Sequence, residues 1–586
     1  MNTRDLHHKL SAMTLAVGVL SLSAQVHAGD PVRRLLDLQL KKGIITQQEY
    51  NELLAEMDEP TAAAPAPAPA ARNEAAEIKD FIKAQDNDNV VKFVEKHEKD
   101  GSVKPSGLGW TSADGKNEIN LTGRLHVDAR VINNAEFGDS LDRDAGMMSD
   151  RFTMRRARIG VNGIFNKDIA YEVQLNGISS TANVVDTAWA AYKLDPAMQF
   201  RMGRFNQPFA LETQTSANNI DFMERSYLHQ MAPFKQLGAM LNGEKGIFTY
   251  AVSGYQRDFD PQNNFNGLGP EAAARLTANL ASAFGASDKT VLHIGAAATT
   301  GRQTVTPTTA TQTGSSSTTY ETRAPIVSFT DENLGLSNVY RNRIYGAPPC
   351  GTQLAGAVCT TGGYGLPASE VAKVDRSLKG LELAAAYGPA KLQAEWAQID
   401  ASASSNAITS GGVAYTSAMS GNAKASYVEF MYNLTGENWA DAYKSGVFSS
   451  IKPNSPFSFT NRSGLGAWQI GLRYSVYDAS GFGDNSCTAT TTAGANAICN
   501  YIDGQIVTST GTTAGTKQYQ IQGSPKGNTV TLGVNWLLNP NARIMFNYSR
   551  TSFDRSFLPV DIGTLRSNSK VGQGLDVFSV RTQFNF

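Results

Sequence analysis

The chain reads as all-β: a transmembrane antiparallel β-barrel of about 16 strands, carrying a short helical N-terminal periplasmic extension. Three observations predict this. Apolar and polar residues alternate with period two from Glu118 to the C-terminus, the connections switch regularly between tight turns and long polar loops, and an export signal precedes a chain without any membrane-length apolar run.

Composition narrows the classes first. The 586 residues include 41% hydrophobic and 18% charged residues with 53 Gly, a uniform turn-rich chain rather than a string of soluble domains. Lys and Arg number 52 against 53 acidic residues, so a net charge of −1 argues against nucleic acid as a partner, and any electrostatic function must be local. After residue 28 no apolar run approaches the roughly 18 to 20 residues that a membrane helix needs.

Residues 1–28 have the build of a secretory signal peptide: Arg4 and Lys9, an apolar stretch from Leu10 to Leu22, and a small-residue cleavage box at Val26-His27-Ala28. Residues 29–59 form a short helical segment in two stretches broken at Gly43, the second opened by a capping box of Thr46 and Glu49. An Ala/Pro linker follows at 60–72, then a charged helical spacer at 73–106, which suits either a periplasmic tether or a solvated spacer. The barrel takes residues 107–586. Export makes disulfides the expected fate of the four cysteines, and spacing pairs Cys350 with Cys359 and Cys487 with Cys499, each closing a loop. Such spacing is too wide for a zinc site, so no metal and no cofactor is expected.

From Glu118 onward, Ile119, Leu121, Leu125, Val127, Ala129 and Val131 share one parity, with Asn120, Thr122, Arg124, His126, Asp128 and Arg130 on the other. Ile159, Val161 and Phe165 repeat it opposite Arg156, Arg158 and Asn162, as do Tyr171, Val173 and Leu175 opposite Glu172, Gln174 and Asn176. A sheet with one apolar face must bury it, in a second sheet or in lipid.

The connections decide for lipid. Short turns fall at Phe165–Asp168, Leu194–Ala197, Asn242–Lys245, Phe284–Lys289, Tyr387–Ala390 and Leu538–Asn541, with long polar loops between them and one exception at Thr435–Gly466. Short periplasmic turns with long outer loops mark outer-membrane barrels. Strands are expected to start near residues 119, 153, 168, 185, 198, 236, 246, 271, 290, 374, 391, 424, 467, 528, 541 and 574, an even number that returns both ends to the periplasm. The last strand carries Phe578, Val580, Phe584 and Phe586 on one parity and ends on an aromatic residue, which resembles the signature read by bacterial barrel assembly.

With the apolar parity assigned to lipid, Arg124, Arg130, Arg156, Arg158, Arg201, Arg275, Arg473, Arg543 and Arg581 point inward, against the acids Asp128, Glu172, Glu382, Glu395 and Glu429. A pore wall enriched in Arg favours anions by lowering the barrier to negative charge. The same arginines can instead brace the wall by pairing with carboxylates across it. Residues 204–238 form an aromatic, Pro-bearing loop, too apolar for a free surface loop of that length. Folded into the lumen it is a constriction, where Arg204, Arg225 and Lys235 meet an anion while Glu212, Asp221 and Glu224 hold the arginines.

The stretch Arg204–Gly238, with Leu434-Thr435-Gly436-Glu437, Trp468–Asp478 and Leu532–Asn541, resembles the phosphate-selective porin O and P family across about residues 107–586. The resemblance implies a sixteen-stranded homotrimer in the outer membrane of a Gram-negative bacterium, in contact with outer-membrane lipid. It would pass phosphate or related small anions through an Arg/Lys-lined pore. It also matches the awkward Thr435–Gly466 segment to a family feature containing Pro453 and Pro456-Phe457.

Other functions on the same scaffold make different demands. Signal cleavage leaves His97, His126, His229 and His293, and no metalloprotease, serine-hydrolase or nucleotide-binding pattern occurs, so no enzyme is expected. A general diffusion porin of weak or cation selectivity would differ in the charge balance of the loop. A structural or adhesive barrel would use Thr/Ser-rich loops such as Thr304–Thr319 and conduct no ions.

Overall fold

Sixteen strands pair in sequence order and the last closes on the first. The computed structural model describes residues 108–133, 150–178, 184–195, 197–256, 270–305, 327–333, 339–343, 372–405, 418–482, 524–557 and 572–586, with residue 47 and short stretches at 93–95, 408–410, 413–415, 501–503, 505–508 and 518–521. The strands are β1 Glu118–Asn133, β2 Arg151–Phe165, β3 Ile169–Asn176, β4 Val185–Asp195, β5 Met198–Asn206, β6 Lys235–Lys245, β7 Phe248–Gln256 and β8 Pro270–Asn279. They continue as β9 Thr290–Val305, β10 Ala372–Tyr387, β11 Ala390–Ser405, β12 Ala418–Asn433, β13 Ala467–Asp478, β14 Lys526–Asn539, β15 Ala542–Phe557 and β16 Gly572–Asn585. All neighbours are antiparallel, and closure leaves no free edge in the bilayer, as backbone groups in hydrocarbon require.

Expected and observed strand starts agree within a few residues. One turn shifts: β6 runs to Lys245, and the chain reverses at Gly246, whose φ is 60°. The signal, the helical segment, the linker and the charged spacer lie outside the described residues apart from position 47 and 93–95, and so do Cys350, Cys359, Cys487 and Cys499.

The outer face is apolar. Val131, Phe152, Leu241, Val252, Leu381, Phe430, Leu472, Leu532 and Phe578 are all exposed, an inversion that suits lipid as the surrounding solvent. The inner face carries the buried polar residues. At the seam β1 pairs with β16 from Arg124 upward, while its lower part, Glu118–Leu121, pairs instead with Leu108–Ser112. The Phe586 amide and carbonyl both pair with Gly123. A Cβ built on Gly123 would lie 2.2 Å from the Phe586 ring, so the terminal aromatic rests where only glycine leaves room.

Gly123→Val is therefore expected to push the Phe586 ring off the seam, at a cost of about 1–3 kcal/mol from overpacking. The folded, fast-migrating form on unheated gels should convert at a lower temperature than wild type; an unchanged transition would remove the ring from seam closure.

Candidate functional site: the barrel lumen and its inserted loops

Residues 207–234, between β5 and β6, fold into the barrel and hold two short helices, α1 Leu211–Gln214 and α2 Tyr227–Met231. Phe205, Phe209, Leu211, Phe222, Tyr227 and Leu228 are almost completely buried, which explains the apolar composition of this segment. A Cβ on Gly533 would sit 2.9 Å from the Phe222 ring and one on Gly471 3.1 Å, so two inward-facing glycines make the slot for this aromatic.

The wall of β11–β16 holds the loop by its polar groups. The Glu395 carboxylate accepts from the Leu211 and Glu212 amides at 2.7 Å each. Lys391 pairs with Asp221. Arg473 donates to the Glu224 carbonyl at 2.9 Å, Arg543 to the Ile220 carbonyl at 2.8 Å, and Arg581 to the Met223 carbonyl. Glu224 gathers three arginines: Arg130 at 2.8 Å, Arg155 at 2.9 Å and Arg581 at 2.8 Å. Burial alone would raise the Glu224 pKa, but Arg155, Arg581 and Arg130 together hold it well below the usual carboxylate range.

Two further segments enter the lumen. From the outer side, Val327–Asn333 packs over α2: Gln230 donates to the Thr330 carbonyl at 3.0 Å and accepts from its amide at 2.8 Å. Phe329 stacks on Tyr477 at 4.5 Å between ring centroids. From the periplasmic side, the connection between β12 and β13, which departed from the short-turn pattern, puts Trp439 and Phe448 against Lys391 at 4.4 and 4.7 Å. Arg275 donates to the Gly446 carbonyl there at 3.1 Å.

The arginines expected in the pore now separate into groups. Arg124, Arg158, Arg201 and Lys235 keep solvent access on the lumen side of β1, β2, β5 and the loop's return into β6. Arg158 pairs with Asp186 at 2.8 Å, Lys235 pairs with the same carboxylate, and Arg201 lies over the Trp189 ring at 4.1 Å. Arg156 is buried behind His126, whose Nδ1 is 3.3 Å from its guanidinium. Arg225 is tied into the loop, donating to the Glu212 carbonyl at 3.1 Å and the Thr215 carbonyl at 2.6 Å.

Three expectations need correction. Arg130 is occupied by Asp128, Glu224 and the Asn333 carbonyl, and Arg275 by a two-point contact with Glu382 at 2.8 and 2.6 Å, so both brace the structure. Arg204 lies within β5 on the parity of the exposed Phe200 and Met202, and its register partner Leu237 is also exposed, which sets it on the outer wall rather than in the constriction. The loop acids do not hold the pore arginines as a set: Glu212 turns back to Ser226 and Arg473, Asp221 to Lys391, and only Glu224 reaches Arg155.

Two pore residues are invisible to parity. His126 pairs with Arg156 and Val127 with Met154, leaving Arg155 as the extra residue of a β-bulge that turns two successive arginines inward. Asp186 is the extra residue of a second bulge, between the pairs Gln174–Thr187 and Leu175–Val185.

The sequence profile of the phosphate-selective porin O and P family matches residues 119–326 and 366–586. The chain belongs to that family. Porin O of Pseudomonas aeruginosa is 25% identical over 464 residues, covering 77% of this chain and 86% of that one. Among solved structures, the anion-selective porin from Comamonas acidovorans is similar at 10% identity, TM-score 0.40, covering 80% of this chain and 100% of the other. The outer membrane channel DcaP of Acinetobacter baumannii is similar at 10% identity, TM-score 0.39, with 82% and 100% covered. This member of the family is an outer-membrane porin, with the start of β1 and the end of β16 on the short-turn, periplasmic side.

One loop contact is set to respond to pH. Glu332 is buried 3.3 Å from Arg473, and burial outweighs that attraction, with Asp331 and Glu212 adding to the rise, so its pKa is raised to about 7. A carboxyl that is harder to ionise in the docked loop than in the free one stabilises docking most below the ordinary value of 4.5, and that stabilisation is lost as pH rises toward 7. Proteolytic nicking near residue 332 should thus be faster at pH 8 than at pH 5, and Glu332→Gln should flatten the difference. A pH-independent wild-type rate would contradict this account.

Proposed function

We propose that the porin passes small anions, phosphate or related species, along the wall formed by β1, β2, β5 and the start of β6. The carrying observation is how the loop disposes of its charge. Its carboxylates are engaged by wall cations, and the loop residues that keep solvent access between the two helices are Gln214, Ser216, Asn218 and Asn219, all uncharged. On β1, β2 and β5 and at the loop's return into β6, Arg124, Arg155, Arg158, Arg201 and Lys235 keep solvent access, with Asp186 and Glu172 as the accessible acids beside them. Asp186 is shared by Arg158 and Lys235, and Glu172 accepts from the Trp189 indole at 3.0 Å. The passage thus carries more accessible positive than negative charge in a chain whose net charge is −1.

An anion entering this strip exchanges part of its hydration for guanidinium and ammonium donors. Arg201, propped on Trp189, and Arg158, oriented by Asp186, present their forks with little conformational entropy left to lose. Transport is passive and leaves the solute chemically unaltered. The name of the family supports phosphate as the anion class.

The test is the reversal potential in a planar bilayer under a KCl gradient, followed by titration with phosphate. Wild type should be chloride-biased and its current blocked by phosphate. Replacing both Arg155 and Arg158 by Gln should lower the anion preference several-fold, and cation bias in the wild type would overturn the proposal.

We further infer that the barrel assembles as a homotrimer. The outer faces of β2, β4 and β6 stay apolar up to their outer ends, at Phe152, Met154, Val185 and Leu237, where a barrel facing lipid headgroups would be expected to turn polar. Native mass measurement in detergent should return three subunits; a monomer mass would remove the assembly from the reading.

A further inference from the structure

The opposite side of the barrel behaves differently at the same end. Outward positions of β10–β14 are apolar through mid-strand, with Leu381 and Leu383 on β10, Val428 and Phe430 on β12, Leu472 and Tyr474 on β13, and Val530 and Leu532 on β14 all exposed. Past a row of Leu381, Trp396, Ser426, Val476 and Asn528, the outward positions toward the loops become charged or polar. The pairing register places Lys379, Gln398, Lys424, Asp478 and Lys526 in one row across five neighbouring strands. Lys379, Lys424 and Lys526 therefore stand on alternate strands, about 10 Å apart by twice the interstrand spacing.

The row continues as a belt. Lys379 is 3.5 Å from Asp400 and Lys526 3.2 Å from Asp478, while Arg302 lies 2.5 Å from Asp375 on the β9 side and Arg550 2.7 Å from Asp576 on the β15 side. The side chains of Lys379 and Lys526 remain 57% and 47% exposed, and Lys424, also exposed, makes no ion pair among the described residues. Exposed pairs of this kind contribute about 0–1 kcal/mol to stability, so holding the fold does not account for them. Their height does bear on what they meet. They begin where the apolar band ends on the outer side, at the level of the lipid headgroups, and they face away from the pore, where no permeating ion reaches them.

We propose that the outer face of β10–β14 binds the phosphorylated sugar headgroups of a glycolipid in the outer leaflet. Lys379, Lys424 and Lys526 contact phosphate groups, and Gln398 with Asp400 and Asp478 contacts the sugar hydroxyls between them. The spacing of the lysines suits a headgroup with two phosphates at opposite ends of a disaccharide better than a single-phosphate glycerolipid. The matching outer ends of β2, β4 and β6 have apolar residues instead, so the lipid binds one side of the barrel.

The experiment uses the full-length protein in detergent, with native mass spectrometry to count retained lipid. The probes are a bisphosphorylated acylated glucosamine disaccharide, its dephosphorylated form and phosphatidylglycerol. Wild type should retain the bisphosphorylated glycolipid most tightly. The triple variant K379Q/K424Q/K526Q should bind it on the order of tenfold to a hundredfold more weakly, from three lysine–phosphate contacts near a charged surface. Lys245→Gln, at the periplasmic end of β6, should bind as wild type, and unchanged gel migration of the unheated triple variant confirms that it folds. Undiminished binding by the triple variant, or equal retention of the dephosphorylated lipid, would overturn the proposal. Equal retention of phosphatidylglycerol would overturn the glycolipid assignment.

Discussion

The pore depends on one buried carboxylate. Glu224 sits at the tip of the inserted loop and is met by arginines from three adjoining strands: Arg130 of β1, Arg155 of β2 and Arg581 of β16. An unpaired charge in that position would cost several kcal/mol, so neither the loop nor the seam strands can hold their charges without the other. The contact joins the two halves of the lumen. Arg581 and the neighbouring Arg473 and Arg543 grip loop carbonyls on one side, while Arg155 turns toward the open passage on the other. Once this anchor is made, the loop's remaining acids fall against Lys391 and Arg473, and its uncharged face is left to the solvent path.

The seam and the bulges explain how such a site is built on a regular sheet. A strict period of two allows one inward residue in every pair, which spaces charges too widely to serve a carboxylate and a pore together. At Arg155 and Asp186 an extra residue breaks the period, so Arg155 can bind Glu224 while Arg156 approaches His126, and Asp186 can orient Arg158 and Lys235 while Thr187 keeps its own inward place. Both bulges lie on the side of the barrel that carries the proposed anion path.

Most of the barrel was legible in the sequence because its determinants are local. Alternation is imposed by lipid on one face and water on the other, and Gly246, Gly388 and Asn166 mark reversals by taking positive φ. Strand starts and the inward sense of His126 follow from such patterns, and the apolar composition of residues 204–238 marks a loop that must pack against something without saying what. The bulge at Arg155 was not legible, because an Arg-Arg pair reads the same whether one or both point inward. Nor could Arg204 be placed, since its outward side is fixed by pairing with Ala188 and Leu237, far away in sequence. The entry of Val327–Asn333 was hidden by the low-complexity stretch before it. Which arginines brace and which line the path depends on partners hundreds of residues away, as in Arg581 with Glu224, and only the closed barrel brings those together.

This sorting bears on how a nearly neutral chain can favour anions. Arginines facing a lumen do not add up to selectivity, because those buried against a carboxylate, as Arg275 and Arg581 are, present little net field to the path, whereas Arg155 and Arg158 keep accessible surface beside theirs. Selectivity arises from asymmetry in the pairing. Acids collect where loops must be fastened, on the wall of β10–β16 and in the loop it holds, and Lys391 and Arg473 of that wall, with Arg275 of β8, are consumed in pairing them. The wall of β1–β6 takes one loop carboxylate, Glu224, on Arg130 and Arg155, and its Arg124, Arg158, Arg201 and Lys235 keep accessible surface beside the acids Asp186 and Glu172. The inserted loops therefore do more than narrow the pore. They draw most of their carboxylates to the β10–β16 wall and leave the β1–β6 wall the more positive, and the anion path runs along the side that takes Glu224 alone.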